Sequence, residues 1–236
     1  PEPKPPTNAI FFPPVMTMHR SLSWLLGASL LLLLLPAGAN PATPLEEDNT
    51  TPEASTTTET IVLAGGCFWC LEHDLEKLAG VEEAVSGYSG GHVASPSYGQ
   101  VSSGNTGHLE VVEVTFDSQI LPLEDLLQAF WRNIDPLDNG GQFCDRGEQY
   151  TSAIFVTTPQ QRLVAEASLE AAQDQLGDQS VVTPILDASP FYPAEDYHQN
   201  YAENHSLRYN YYRWSCGRDR RLKEVWGNTK AESGEA

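Results

Sequence analysis

The sequence predicts an α+β domain, a mixed sheet with helices packed on it. Three observations carry this. Apolar residues alternate along residues 108–116, the period of a strand. They recur at helical spacing in Phe68, Leu71, Leu75 and Leu78, and again in Leu123, Leu126, Leu127 and Phe130. The elements also run strand, helix, strand, strand, helix, strand, which is the order of a split βαβ plan.

Each element has a local reason. Residues 61–64 are apolar and partly β-branched, and Gly65-Gly66 breaks the run into a turn. Cys67 then opens a helix that Gly80 closes. A weak strand follows at 82–86, then glycine-rich loops at 87–91 and 103–107, with Pro96-Ser97-Tyr98 between them. In the strand at 108–116, Glu110 shares a face with Val112, Val114 and Phe116. The helix at 122–133 stops before Asp135-Pro136. A turn at 138–141 and a loop at 142–147 lead through Tyr150 to a strand at 152–157. Thr158, Pro159 and Gln161 mark the start of a third helix, as N-cap, first-turn proline and capping-box glutamine, and Gly177 marks its end. Residues 181–186 read as a further strand, 191–201 as an aromatic, acidic loop, and the tail carries Tyr209, Tyr211, Tyr212, Trp214 and Cys216.

Lys plus Arg number 13 against 32 Asp plus Glu, a formal charge of −19, which argues against nucleic acid as a partner. The cations Arg208, Arg213, Arg218, Arg220, Arg221 and Lys223 gather in one C-terminal stretch, read as a solvated helix face rather than a docking patch. Four cysteines in 236 residues suit redox or catalytic use better than a disulfide scaffold. Residues 1–17 are proline-rich and read as an upstream extension. Residues 18–39 have a short basic start, an apolar run at 22–35 and an Ala-x-Ala site ending at Ala39, the plan of a secretory signal peptide. The run is about 14 residues, short of the ~20 that span a bilayer; export to the periplasm or the exterior is expected, with tethering through 22–35 as the variant. Residues 40–59 read as a disordered linker, 60–227 as the folded domain and 228–236 as a flexible tail.

Two side chains carry chemistry on this reading. Cys67 sits where helix N–H groups and the dipole favour a thiolate, so its pKa is expected to fall. Glu110, if its face is the buried one, is a carboxyl in apolar surroundings whose pKa rises, making it a proton donor near neutral pH.

The motif Gly66-Cys67-Phe68-Trp69 resembles the signature of the A-type peptide methionine sulfoxide reductases. Residues 87–91, 96–98, 104–110, 145–150 and 194–199 resemble that family's further blocks, in order. Ile134, Thr151 and Cys144 stand where the family commonly has His, Arg and Asn. The resemblance implies a ferredoxin-like split βαβ core, and reduction of free or protein-bound methionine-S-sulfoxide in the repair of oxidised proteins. Cys67 is then the nucleophile and Glu110 the proton donor, helped by the phenols of Tyr98 and Tyr150, with Asp145 positioning the site. Gly66, Phe68 and Trp69 are the expected substrate contacts, the two rings walling the methyl group. The Cys67 sulfenic acid is resolved to a disulfide that thioredoxin or a similar dithiol reduces. Cys216 is favoured as the resolving thiol, with Cys70 as the second candidate and Cys144 also in reach. The family implies a monomer without metal or organic cofactor.

The rival enzyme class is a cysteine hydrolase pairing Cys67 with His198. His198 is read first as a hydrogen-bonding support of its loop, and His108 as a support of its turn. A zinc domain is disfavoured because the cysteine spacings of 3, 74 and 72 lack a second close pair.

Overall fold

The computed structural model describes residues 57–227. The signal-peptide, upstream and C-terminal tail assignments, and nearly all of the linker, lie outside those residues. No helix among the described residues is long and apolar enough to cross a membrane.

Strand β1 (Thr58–Gly65) starts two residues inside the expected linker, with Thr58 opposite Asp117. Helix α1 (Phe68–Leu75) is followed by β2 (Val81–Ser89), a short helix α2 (Tyr98–Ser102) and β3 (Leu109–Asp117). Helix α3 (Leu123–Arg132) leads to a small hairpin, β4 (Gly141–Gln142) and β5 (Asp145–Arg146). Then come β6 (Ser152–Val156), α4 (Pro159–Leu176), β7 (Ile185–Asp187) and β8 (Tyr192–Pro193). Three helices close the described chain: α5 (Tyr201–Asn204), α6 (Ser206–Cys216) and α7 (Arg218–Trp226).

The main sheet has the order β7-β6-β1-β3-β2-β8. β3 lies between β1 and β2 and is antiparallel to both, while β6 is antiparallel to β1, so the split βαβ order is present. β7 adds a parallel edge, which makes the sheet mixed. Ile61 and Leu63 share one face with Val112, Val114 and Phe116, and α1 and α3 cover it with Leu71, Leu75, Leu126, Leu127 and Phe130. The opposite face holds a smaller cluster of Ala64, Leu109, Val111, Ala153 and Phe155. At about 25 cal/mol per Å² of apolar area, the larger cluster dominates the hydrophobic stabilisation.

Several elements differ from expectation. β2 runs through Gly87-Tyr88-Ser89, assigned to a loop, because these residues pair with Val111, Glu110 and Leu109 of β3, and the ring of Phe191 packs where a Gly87 Cβ would stand, 2.3 Å away. Tyr98 opens a helix because Ser97 forms a capping box with Gln100. The strand expected at 181–186 shrinks to Ile185–Asp187. Thr158 caps α4 as expected, accepting from the Gln161 N–H at 3.1 Å. Three of the six C-terminal cations are engaged within the domain. Arg218 is buried, stacked on Phe143 and donating to the Asn133 carbonyl. Arg213 bonds Asp74 and Asp219, and Arg221 bonds Asp135.

Candidate active site

Cys67 stands at the N-cap of α1, where β1 ends and Gly66 turns the chain with φ +77°. A Cβ at Gly66 would lie 2.4 Å from the Gln142 side chain, so the glycine gives Gln142 room to pack here. Gln142 is fully buried and bonds both the N–H and the carbonyl of Asp135 at 2.8 Å, which pins the β4–β5 hairpin to the end of α3. The hairpin in turn carries Asp145 to the site.

A cavity of about 110 Å³ is lined by Cys67, Phe68, Trp69, Tyr98, Glu110, Asp145, Tyr150 and Tyr212. Seven of these eight were expected from sequence; Tyr212 was not assigned a role. The volume is about that of three or four waters, sized for a small polar head group.

Glu110 is 2% exposed, on the helix-covered face of β3 as the alternation required. Burial pushes its carboxyl up to about 8, the Asp145 charge adds to this, and a hydrogen bond from the Phe68 N–H at 3.2 Å opposes it. At neutral pH Glu110 is therefore a neutral acid inside the cavity.

The expected fall in the Cys67 pKa is not found. Burial pushes the Cys67 thiol up, and Cys70, Glu110 and Asp145 reinforce the rise. Its sulfur makes no capping bond to the helix, and the Phe68 N–H goes to Glu110 instead. The helix terminus thus serves the acid rather than the thiol. The lower pKa of the pair belongs to Cys70, held to about 7 by its hydrogen bond with Cys67 against the opposing effect of burial, with Arg218 and Arg213 assisting.

Tyr98 and Tyr150 hydrogen-bond each other. Burial raises both phenols, Tyr150 to about 12, so both keep their protons. Glu195 holds this side of the cavity: one oxygen accepts from the Tyr98 N–H and the other from the Tyr88 hydroxyl, each at 2.9 Å. Tyr212 donates to Asp145 and also hydrogen-bonds Cys67. Burial raises the Asp145 carboxyl, and the Tyr212 bond and Arg218 pull it back.

Phe68 and Trp69 both line the cavity. Trp69 stacks on Tyr201 with centroids 3.8 Å apart, and its indole N–H donates to His198 Nδ1 at 3.1 Å. His198 is buried, packs on Phe68 and Tyr98, and its Nδ1 is occupied by the Trp69 indole. This favours the supporting role over the hydrolase base. His108 likewise supports its turn, accepting from the Gly91 N–H and donating to the Val93 carbonyl.

The structure pairs Cys216 with Cys144 in a disulfide and leaves Cys67 and Cys70 as free, buried thiols. Cys144 Sγ lies 3.9 Å from Asp145 Oδ1, so the disulfide borders the cavity. Cys144, Asp145 and Cys216 are the one cluster of metal-ligand types among the described residues, and the S–S bond leaves no thiolate there to ligate.

The sequence model of the peptide methionine sulfoxide reductase family matches residues 59–230. A peptide methionine sulfoxide reductase, MsrA 2, of Caulobacter vibrioides is 51% identical over 174 residues, 74% of this chain and 88% of that protein. One from Bacillus licheniformis is 45% identical over 175 residues, covering 74% of this chain and 97% of the relative. The crystal structure of Mxr1 from Saccharomyces cerevisiae in reduced form is similar with a TM-score of 0.60 and 30% identity, over 63% of this chain and 86% of that one.

Proposed function

The chain belongs to the peptide methionine sulfoxide reductase family, and from that premise we propose how its cavity performs the reduction. The protein is an oxidoreductase that reduces methionine sulfoxide; its substrates are methionine-S-sulfoxide, free and in oxidised proteins. A sulfoxide oxygen is a poor leaving group, so attack on sulfur needs a proton delivered to oxygen. The observation that carries this reading is Glu110, a buried neutral acid in the same cavity as Cys67.

The Cys67 sulfur attacks the substrate sulfur while Glu110 gives its proton to the oxygen, and the thiol proton of Cys67 passes back to Glu110 as methionine leaves. Being neutral below about pH 8, Glu110 also places no negative charge beside the developing thiolate. Tyr98 and Tyr150 donate hydrogen bonds to the same oxygen. Phe68 and Trp69 hold the methyl group, since thioether-like groups pack well on aromatic faces. Asp145, fixed by Tyr212, positions the Cys67 side of the cavity.

Methionine leaves and Cys67 is a sulfenic acid. A second thiol condenses with it, water departs, and the oxidation ends as a disulfide. Cys144 is exposed, so the Cys144–Cys216 bond is where a thioredoxin-like dithiol attacks. No metal or organic cofactor enters these steps, and the protein acts as a monomer. Residues 18–39 direct export to the periplasm or the exterior.

Dithiothreitol-driven reduction of the two methionine sulfoxide epimers tests this. The S epimer is reduced and Cys67→Ser is inactive. Turnover of the R epimer alone, or activity in Cys67→Ser, contradicts the assignment.

A further inference from the structure

The reacting cavity, about 110 Å³, is sized for the sulfoxide head group. In an oxidised protein the chain runs on from both sides of that methionine, so it must lie outside the cavity. A groove adjoins it. The turn Glu148–Tyr150 puts Tyr150 on the cavity and Glu148 at the groove, and Thr151 and Ser152 continue the groove's wall. Leu109 and Glu110 are neighbours on β3 with side chains on opposite faces, Glu110 in the cavity and Leu109 in the groove. The groove thus leads from the cavity's end of the sheet onto the face opposite α1 and α3.

Its volume is about 340 Å³. Leu109 and Phe155 are buried in its floor, and Val182 and Leu186, 39% and 37% exposed, leave apolar surface open to water. Contiguous exposed apolar surface rimmed by polar groups marks a binding groove. This one is held firmly. Leu186 pairs with Phe155 across β7 and β6, the buried Thr183 and Ser152 hydroxyls bond at 2.8 Å, and the Val182 N–H donates to the Pro136 carbonyl at 2.8 Å. A preformed groove binds at little ordering cost of its own. Another exposed apolar surface, Leu207, Tyr211 and Trp214 on α6, is turned away: Trp214 stands about 200° round the helix from Tyr212, which lines the cavity.

Resting on the reductase reading above, we infer that this groove binds an extended segment of the oxidised protein. An apolar side chain of that segment lies against Phe155, Val182 and Leu186 while the oxidised methionine occupies the cavity. Free methionine sulfoxide has no such side chain and gains nothing from the groove. The groove therefore sorts substrates: unfolded chains with an apolar residue near the methionine are reduced ahead of the free amino acid and of segments flanked by small polar residues.

The test uses the full chain with dithiothreitol. Its substrates are free methionine-S-sulfoxide and peptides of glycine and serine around one methionine-S-sulfoxide, with a single leucine moved stepwise along either side. Leucine at one narrow range of offsets should raise kcat/KM about fivefold or more, through KM. Val182→Ser/Leu186→Ser should return those peptides to the value of the leucine-free peptide and leave free methionine-S-sulfoxide unchanged, which also reports an intact fold. Leu186→Ser alone should remove about half of the gain or more. Equal kcat/KM at every leucine position overturns the inference. So does a leucine effect that survives these variants, or one lost in Leu207→Ser/Trp214→Ser instead. If free methionine-S-sulfoxide is not reduced at all, the reductase reading falls and this inference with it.

Discussion

The Cys67–Cys70 pair and the Cys144–Cys216 pair differ first in what surrounds them. The former lies under Trp69, Tyr201, Tyr209 and Tyr212, with Glu110 and Asp145 beside it. The latter joins the β4–β5 hairpin to the end of α6, with Cys144 open to solvent. Burial allows the Glu110 carboxyl to remain neutral in the inner site. It also leaves the sulfurs of Cys67 and Cys70 less accessible than that of Cys144. Chemistry and recycling therefore need different environments, and the fold supplies both a few residues apart through Asp145 and Tyr212.

Removing the inner nucleophile is the strongest break of this contrast. Cys67→Ser should lower sulfoxide reduction by on the order of 10⁴-fold or more in a steady-state assay. Glu110→Gln comes next, losing about 10²–10⁴-fold in kcat/KM. Because only neutral Glu110 can donate, wild-type kcat/KM should fall as pH rises through about 8, and the variant should lack that limb. At the outer pair the effect should depend on the reductant. Cys216→Ser should lose about tenfold or more of thioredoxin-supported turnover while keeping methionine release in the first turnover. The link between the pairs should matter less again: Tyr212→Phe removes a hydrogen bond to a carboxylate and should cost about tenfold in kcat/KM.

The smallest effect concerns stability. Burial raises the Glu72 carboxyl to about 7, partly opposed by the bond from the Asn200 N–H at 3.1 Å. The unfolded chain ionises near 4.3, so wild-type stability should fall as pH rises from there and level off above about 7. Glu72→Gln keeps the acceptor and removes the charge. Its Tm should exceed wild type by about 2–4 °C at pH 8 and by less at pH 5.

The same contrast separates what the sequence made legible from what it did not. Glu110 was readable because strand alternation ties it to Val112, Val114 and Phe116, and a strand with a buried face cannot slip by one residue. Cys67 was readable from a strand, a glycine turn and a helical stripe. Its electrostatics were not, because the carboxyl that takes the first helix N–H arrives from 42 residues away. Tyr88 hid behind Gly87, which resembles a loop residue until Phe191 is seen packed against it. The tail helices gave little signal, because α6 faces the site with Tyr209 and Tyr212 rather than with aliphatic residues. Only the folded chain brings Cys144 and Cys216, 72 residues apart, into one bond. Glu195 lay within a block resembling the family, but its role depends on Tyr88 and Tyr98 converging from β2 and α2.

The central claim is that Glu110 is a carboxylic acid, not a carboxylate, when substrate arrives. Infrared difference spectra between wild type and Glu110→Gln read this directly through the protonated carboxyl stretch. The band should be present at pH 6 and titrate away around pH 8. A spectrum showing Glu110 already ionised at pH 6 would contradict the account.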